Sequence, residues 1–191
     1  MKKRSSHVAL AILGAAAFTL AGCVEEKVEA EAFPDLTSCK AAANQGGLFS
    51  PAECDTAFAE AQALHVESAP RYDSQQVCEE IHGPGNCGSE QQAVSGGSGS
   101  IFMPMMMGYL IGSMLGNARG AAAAQPLYKT ADGRYSNAAG TGTYASNNGK
   151  GKLSAAEFQK PAATVGKAPM TKATAQSRGG FGASSSRGVG G

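Results

Sequence analysis

Cys23 has the most distinctive chemical context of the five cysteines in the chain. It ends the stretch Leu20-Ala21-Gly22-Cys23, which fits a bacterial lipobox, where small residues precede the cut and a thiol receives diacylglycerol. A cationic start and an apolar run precede it, as in a secretory signal. An ordinary signal peptide with a cysteine nearby by chance is the alternative. Because the signal regions stand in order, we expect cleavage before Cys23 and lipidation of its thiol.

Acyl chains on Cys23 would hold the protein on a membrane, because each buried methylene contributes about 0.8 kcal/mol. Val24 follows the cysteine. In a Gram-negative host an aspartate there would favour the inner membrane, so Val24 favours the outer membrane. The sequence thus predicts a lipid-anchored protein of the cell envelope, facing the periplasm.

The other four cysteines are Cys39, Cys54, Cys78 and Cys87. Export makes disulfides the default, and four cysteines allow three pairings. We favour Cys39–Cys54 and Cys78–Cys87, since these close the shortest loops. A zinc site on Cys78, His82 and Cys87 competes, but no Cys-x-x-Cys pair supports it. We therefore expect no metal ion and no cofactor.

A methionine- and glycine-rich stretch, residues 101–118, is the most apolar part of the mature chain. Gly108, Gly112 and Gly116 recur every four residues, so a helix would carry a flat stripe suited to self-association or membrane contact. A transmembrane span is disfavoured because the run is short and Pro104 interrupts it. Thioethers could instead bind Cu(I), from Met103, Met105, Met106, Met107 and Met114.

Helix signals surround the paired cysteines. Ser50 can cap a helix with Pro51 first and Glu53 completing a capping box. Shorter helices are predicted from Leu36 to Asn44, and from about Ser74 through Cys78 to His82, ended by Gly83. Residues 35–90 contain only eight Leu, Ile, Val or Phe. So small a core needs disulfides, and the segment is predicted to be a three-helix module.

The second half of the chain has a different composition and the opposite charge. From residue 95 onward Gly, Ala, Ser, Thr and Asn dominate, which predicts disorder apart from a hairpin turn at Asp132-Gly133. Residues 23–90 contain 13 acidic and three basic residues, whereas residues 91–191 contain 10 basic and two acidic. The basic half could meet lipid phosphates, an anionic glycan or the chain's own acidic half, or simply stay soluble.

The predicted fold class is therefore mainly α: a small disulfide-stapled helical module followed by a largely disordered C-terminal half. The predicted segments are a signal peptide (1–22), an acidic tether (23–34), the helical module (35–90), a Gly/Ser linker (91–100), an apolar segment (101–120) and a basic tail (121–191).

No motif for catalysis, nucleotide binding or calcium binding occurs in the sequence, and only His65 and His82 remain after processing. We expect that the protein is not an enzyme and that it has no catalytic residue, no nucleic-acid partner and no small-molecule substrate. The predicted function is a structural or adaptor role, through the membrane and an envelope protein or a second copy. The alternative is an exported Cu(I)-binding protein.

Several blocks, in order, resemble the YgiB-type family of uncharacterised bacterial envelope proteins. They are the Cys23 anchor, "SPAEC" from Ser50, "APRY" at 69–72, the Cys78–Cys87 loop, "FMPMMMGYLIG", "QPLY" at 125–128 and "RGGFG". The resemblance spans nearly the whole mature chain and is weakest between Tyr128 and Arg178. It implies a cell-envelope lipoprotein and no particular activity or ligand.

Overall fold

The computed structural model describes residues 26–94, 96–113 and 122–177. The predictions on residues 1–22, Cys23, Met114, Gly116 and the "RGGFG" block lie outside this range. Eight strands are described: β1 Lys27–Phe33, β2 Cys87–Ser89, β3 Phe102–Pro104, β4 Met106–Ser113, β5 Ala122–Lys129, β6 Tyr135–Asn137, β7 Thr143–Tyr144 and β8 Gly149–Ser154. The helices are α1 Leu36–Asn44, α2 Pro51–Ser68, α3 Gln75–His82, α4 Glu90–Ala93 and α5 Lys172–Ser177, with a 3-10 turn at Ala155–Phe158.

Six strands form one antiparallel sheet in the order β7-β6-β5-β4-β1-β8, and β2 pairs with β3 separately. The prediction of a mainly α fold with a disordered second half is therefore wrong. Residues 122–154 supply four of the six strands. The segment expected to be an acidic tether contains β1, which lies between β4 and β8. The segment expected to be a linker begins within α4.

The helix ends agree with the capping residues in the sequence. Ser50 and Glu53 form the expected capping box: the Ser50 N–H donates to Glu53 Oε2 at 2.7 Å, and the Glu53 N–H donates to Ser50 Oγ. Asp35 caps α1 and Ser74 caps α3. Gly83 ends α3 with a φ of 86°, a left-handed conformation that glycine adopts without strain. The three predicted helices are thus confirmed.

Both faces of the sheet are covered. One face packs against α1 and α2 through Phe33, Tyr109 and Ile111, and the Cys39–Cys54 disulfide joins the two helices above it. The opposite face packs against the 3-10 turn, where a cluster surrounds Phe158. Strand β4 contributes to both clusters because successive side chains in a strand point to opposite faces. This explains why its sequence is almost continuously apolar.

The helical interpretation of the glycine stripe is wrong, because residues 106–113 form strand β4 in the interior of the sheet. Gly112 lies beneath Phe158, where a Cβ atom would be 2.6 Å from the ring. Gly108 has a φ of 146°, and a Cβ atom there would be 2.7 Å from the carbonyl oxygen of Phe33. Both glycines therefore permit close packing within the chain. Among the described residues, no helix is long and apolar enough to cross a membrane.

The acidic and basic halves of the chain pair with each other. Four lysines of the second half form ion pairs with glutamates of the first: Lys150–Glu31, Lys152–Glu29, Lys160–Glu67 and Lys172–Glu80. In two of these pairs, Lys150–Glu31 and Lys152–Glu29, the lysine on β8 lies directly opposite the glutamate on β1. The divided charge therefore places opposite charges of the two halves next to each other in the fold. The predicted turn at Gly133 is also confirmed, between β5 and β6.

Candidate functional site

A buried arginine organises the region where α2 ends. Arg71 is 3% exposed, and its Nε donates to Glu90 Oε1 at 2.6 Å. Its Nη2 donates to the carbonyl oxygen of Val66 at 2.8 Å, and its Nη1 donates to that of Ala69 and to Thr164 Oγ1. The guanidinium therefore satisfies carbonyls at the C-terminus of α2 and fixes two distant segments around it. A buried charge with this many partners acts as a structural hub.

Next to this hub lies a buried cluster of two histidines and two tyrosines. The Lys129 carbonyl lies 2.8 Å from His82 Nδ1 and can only accept, so Nδ1 carries the proton. His82 Nε2 then accepts a hydrogen bond from the Tyr72 hydroxyl at 2.9 Å. His65 Nδ1 lies 3.1 Å from the Tyr128 hydroxyl, and the Tyr128 ring also contacts that of His82. The cluster connects α2, α3 and β5.

Burial keeps this cluster uncharged. It lowers the pKa of His82 to about 4, although the hydrogen bond to Lys129 acts in the opposite direction. Burial, assisted by the charge of Arg71, lowers the pKa of His65 to about 4. Burial also raises the pKa of both Tyr72 and Tyr128. At pH 7 all four rings are therefore neutral, as their packing requires.

The predicted disulfides are present in the predicted pairing. Cys39–Cys54 and Cys78–Cys87 have S–S distances of 1.95 and 2.01 Å. The zinc hypothesis on Cys78, His82 and Cys87 is thereby wrong, because both thiols are consumed by the bond. Within residues 26–94, 96–113 and 122–177, no group of three His, Cys, Asp or Glu side chains could hold a metal ion.

Two of the methionines considered as copper ligands, Met103 and Met106, pack in different clusters. Met103 is 1% exposed and packs with Tyr128. Met106 packs against the cluster under the helices, whereas Met105 is 44% exposed. The buried Met103 and the partly buried Met106 serve packing, so the geometry does not favour the copper alternative.

A cavity of about 450 Å³ lies between the end of α2, α3, α5 and the segment 161–170. Small and apolar groups form most of its wall, among them Tyr72, Ile81, Ala138, Pro161, Met170 and Ala175. Its volume is within the range of ligand pockets, roughly 300–1,000 Å³. Within the part of the chain that the structure describes, we take this cavity as the candidate binding site.

A family model described as "Protein of unknown function (DUF1190)" matches residues 27–190. The chain belongs to this family. Two similar relatives are UPF0441 proteins of Klebsiella pneumoniae, from strains ATCC 700721 / MGH 78578 and 342, each 33% identical over 192 residues. A UPF0441 protein of Erwinia tasmaniensis is 31% identical over 191 residues. Each alignment covers 93% of this chain and 79% of the relative. No solved structure matches the chain.

The expected resemblance to a YgiB-type family is thus confirmed. In this family member, the "SPAEC" block begins α2, and "APRY" contains the Arg71 hub and the buried Tyr72. "FMPMMMGYLIG" spans β3 and β4, and "QPLY" lies in β5. These blocks therefore occupy structural positions in the fold.

Sequence reasoning did not find the histidine–tyrosine cluster or the cavity. His65 is partly buried on α2, and its contact with Tyr128 has no local signal in the sequence. The signal for the cluster was weak, since three members lie within residues 65–82 whereas Tyr128 comes from the distant strand β5. The cavity depends on residues 161–175, a segment whose composition favoured disorder.

Proposed function

We propose that this protein is a cell-envelope lipoprotein, anchored through Cys23, whose folded domain has a structural or adaptor role. The arrangement of the cysteines carries the proposal. Four of the five pair with one another, which leaves Cys23 as the one cysteine without a disulfide partner in the chain. Lipidation requires a cysteine with a free thiol directly after the signal segment, and Cys23 is the candidate for that position.

The two disulfides also support an exported location. Disulfides persist in oxidising compartments such as the bacterial periplasm and are rare in the cytosol. The same environment agrees with the lipobox and with the outer-membrane preference suggested by Val24. The proposed location is therefore the periplasmic side of the outer membrane.

The adaptor role depends on the surface of the domain. Arg71, His65 and His82 are committed to internal hydrogen bonds, so these three side chains serve the fold. In the part of the chain that the structure describes, large apolar side chains are exposed at four positions: Leu48 (47%), Val66 (42%), Met105 (44%) and Val165 (54%). In the proposed role, a protein partner contacts the domain at one or more of these side chains.

Site-specific photocrosslinking in intact cells tests this role. A crosslinking amino acid at Leu48, Val66, Met105 or Val165 should give a discrete adduct, whose mass distinguishes a second copy from another envelope protein. The exposed turn residue Asp132 is the matched control position and should give none. Absence of adducts from all four positions, at native expression, would contradict an adaptor role.

A further inference from the structure

The interior of the cavity is suited to an apolar guest. Apart from Lys167, its polar side chains are already bonded within the chain: Ser68 Oγ donates to the carbonyl oxygen of Leu64 at 2.6 Å, and Thr164 Oγ1 donates to that of Ala69 at 2.7 Å. Arg71 also lines the cavity, but its charge is matched by Glu90. The remaining wall is largely formed by alanine, proline, isoleucine and methionine side chains. A hydrocarbon chain could therefore enter without leaving a buried polar group unpaired.

The rim of the cavity has an unmatched positive charge. Four of the five lysines from residue 150 to 172 have glutamate partners, whereas Lys167 has no carboxylate partner among the described residues. Lys167 lines the cavity and is exposed. It belongs to a turn in which its N–H donates to the Thr164 carbonyl, and the same turn exposes Val165. The cation of Lys167 and the apolar side chain of Val165 thus belong to one turn beside the apolar cavity.

We propose that the cavity binds a free fatty acid, with the hydrocarbon chain inside and the carboxylate at Lys167. The apolar wall selects the chain, and the unpaired lysine selects an anionic head group over a neutral one. This binding activity goes beyond the proposed adaptor role and does not depend on lipidation of Cys23.

Isothermal titration calorimetry on the full chain tests the proposal. The protein carries Cys23→Ser so that no acyl group of its own competes, is exported to an oxidising compartment and is stripped of bound lipid. Octanoate, decanoate and dodecanoate are titrated below their micelle concentrations. Each added methylene should tighten binding about fourfold while it is buried. Dodecanoate should also bind more tightly than dodecanol, which lacks the charge.

Three variants assign the binding to the cavity. Lys167→Ala should weaken dodecanoate binding by up to about fivefold, the range of an exposed ion pair, and leave dodecanol unchanged. Lys152→Ala removes another exposed lysine, on β8 away from the cavity lining, and is the control. Ala163→Leu places a larger side chain in the cavity wall and should weaken both ligands. Thermal unfolding of each variant checks that the fold is retained.

Affinity that does not change along the series, or an equal loss in Lys167→Ala and Lys152→Ala, would overturn the proposal. Binding to anionic phospholipid vesicles without binding to free fatty acids would also overturn it, and would assign the rim to a lipid surface. If deletion of residues 178–191 is needed before any fatty acid binds, the chain's own C-terminal segment is the occupant and the proposal fails.

Discussion

Acidification from pH 7 to pH 5 should destabilise the protein through the buried His82 and the partly buried His65. His65 and His82 both have a pKa of about 4 in the folded protein, below the ordinary value of 6.5. The unfolded chain therefore binds more protons than the folded protein between pH 6.5 and 4. By linkage, the free energy of unfolding falls as the pH drops through this interval.

The magnitude follows from the two pKa values. Between pH 7 and pH 5 each histidine should lose about 2 kcal/mol of stabilisation, so the pair should lose about 4 kcal/mol. Carboxyls such as Asp35 and Glu53 have lowered pKa values, and their contributions are lost only at lower pH. Burial raises the pKa of Glu60, which acts in the opposite direction. The interval from pH 7 to 5 therefore reports mainly on the histidines.

Urea unfolding at pH 7, 6 and 5, at constant ionic strength, measures this effect. His82→Gln should lower stability at pH 7 and remove about half of the pH dependence. Tyr72→Phe is the control, because it removes the hydrogen bond to His82 but keeps the histidine buried, so the pH dependence should remain. If His82→Gln retains the full pH dependence, burial of His82 does not control it and the reasoning is wrong.

Two further substitutions test the packing of the core. Gly112→Leu should destabilise the protein by about 1–3 kcal/mol in thermal unfolding, because its side chain would overlap the ring of Phe158; an unchanged melting temperature would contradict the position of β4. Arg71→Met should cost about 3–5 kcal/mol in urea unfolding, because it leaves the Glu90 carboxylate without its ion-pair partner. Arg134→Met, which breaks an exposed ion pair, should cost at most about 1 kcal/mol, and equal losses would refute the hub.

The helices were predictable because their signals are local. The caps at Asp35, Ser50 and Ser74 each act within three residues, and Gly83 ends α3 through its own backbone conformation. The disulfide pairing was also predictable, since each disulfide joins two cysteines that are close in sequence, 15 residues apart for Cys39–Cys54 and 9 for Cys78–Cys87. These features need no knowledge of distant partners.

The strands were missed because their stability comes from distant residues. Strand β4 is apolar on both faces, so it lacks the alternation that marks a half-exposed strand, and its glycine spacing resembled a helical stripe. Strand β8, Gly149–Ser154, has the composition of a disordered tail, and its lysines become informative only when placed opposite Glu29 and Glu31. The alternation of small apolar and acidic residues in β1 was the one local signal that could have indicated the sheet.

Metabolic labelling with an alkyne analogue of palmitate tests the central claim, lipid anchoring through Cys23, most directly. The wild-type protein should be labelled and should fractionate with membranes, whereas Cys23→Ser should be unlabelled and should accumulate as a precursor or as a soluble protein. Cys39→Ala/Cys54→Ala is the matched control, since it removes two cysteines of the folded domain and should leave labelling intact. Equal labelling of the wild-type and Cys23→Ser proteins would contradict the account.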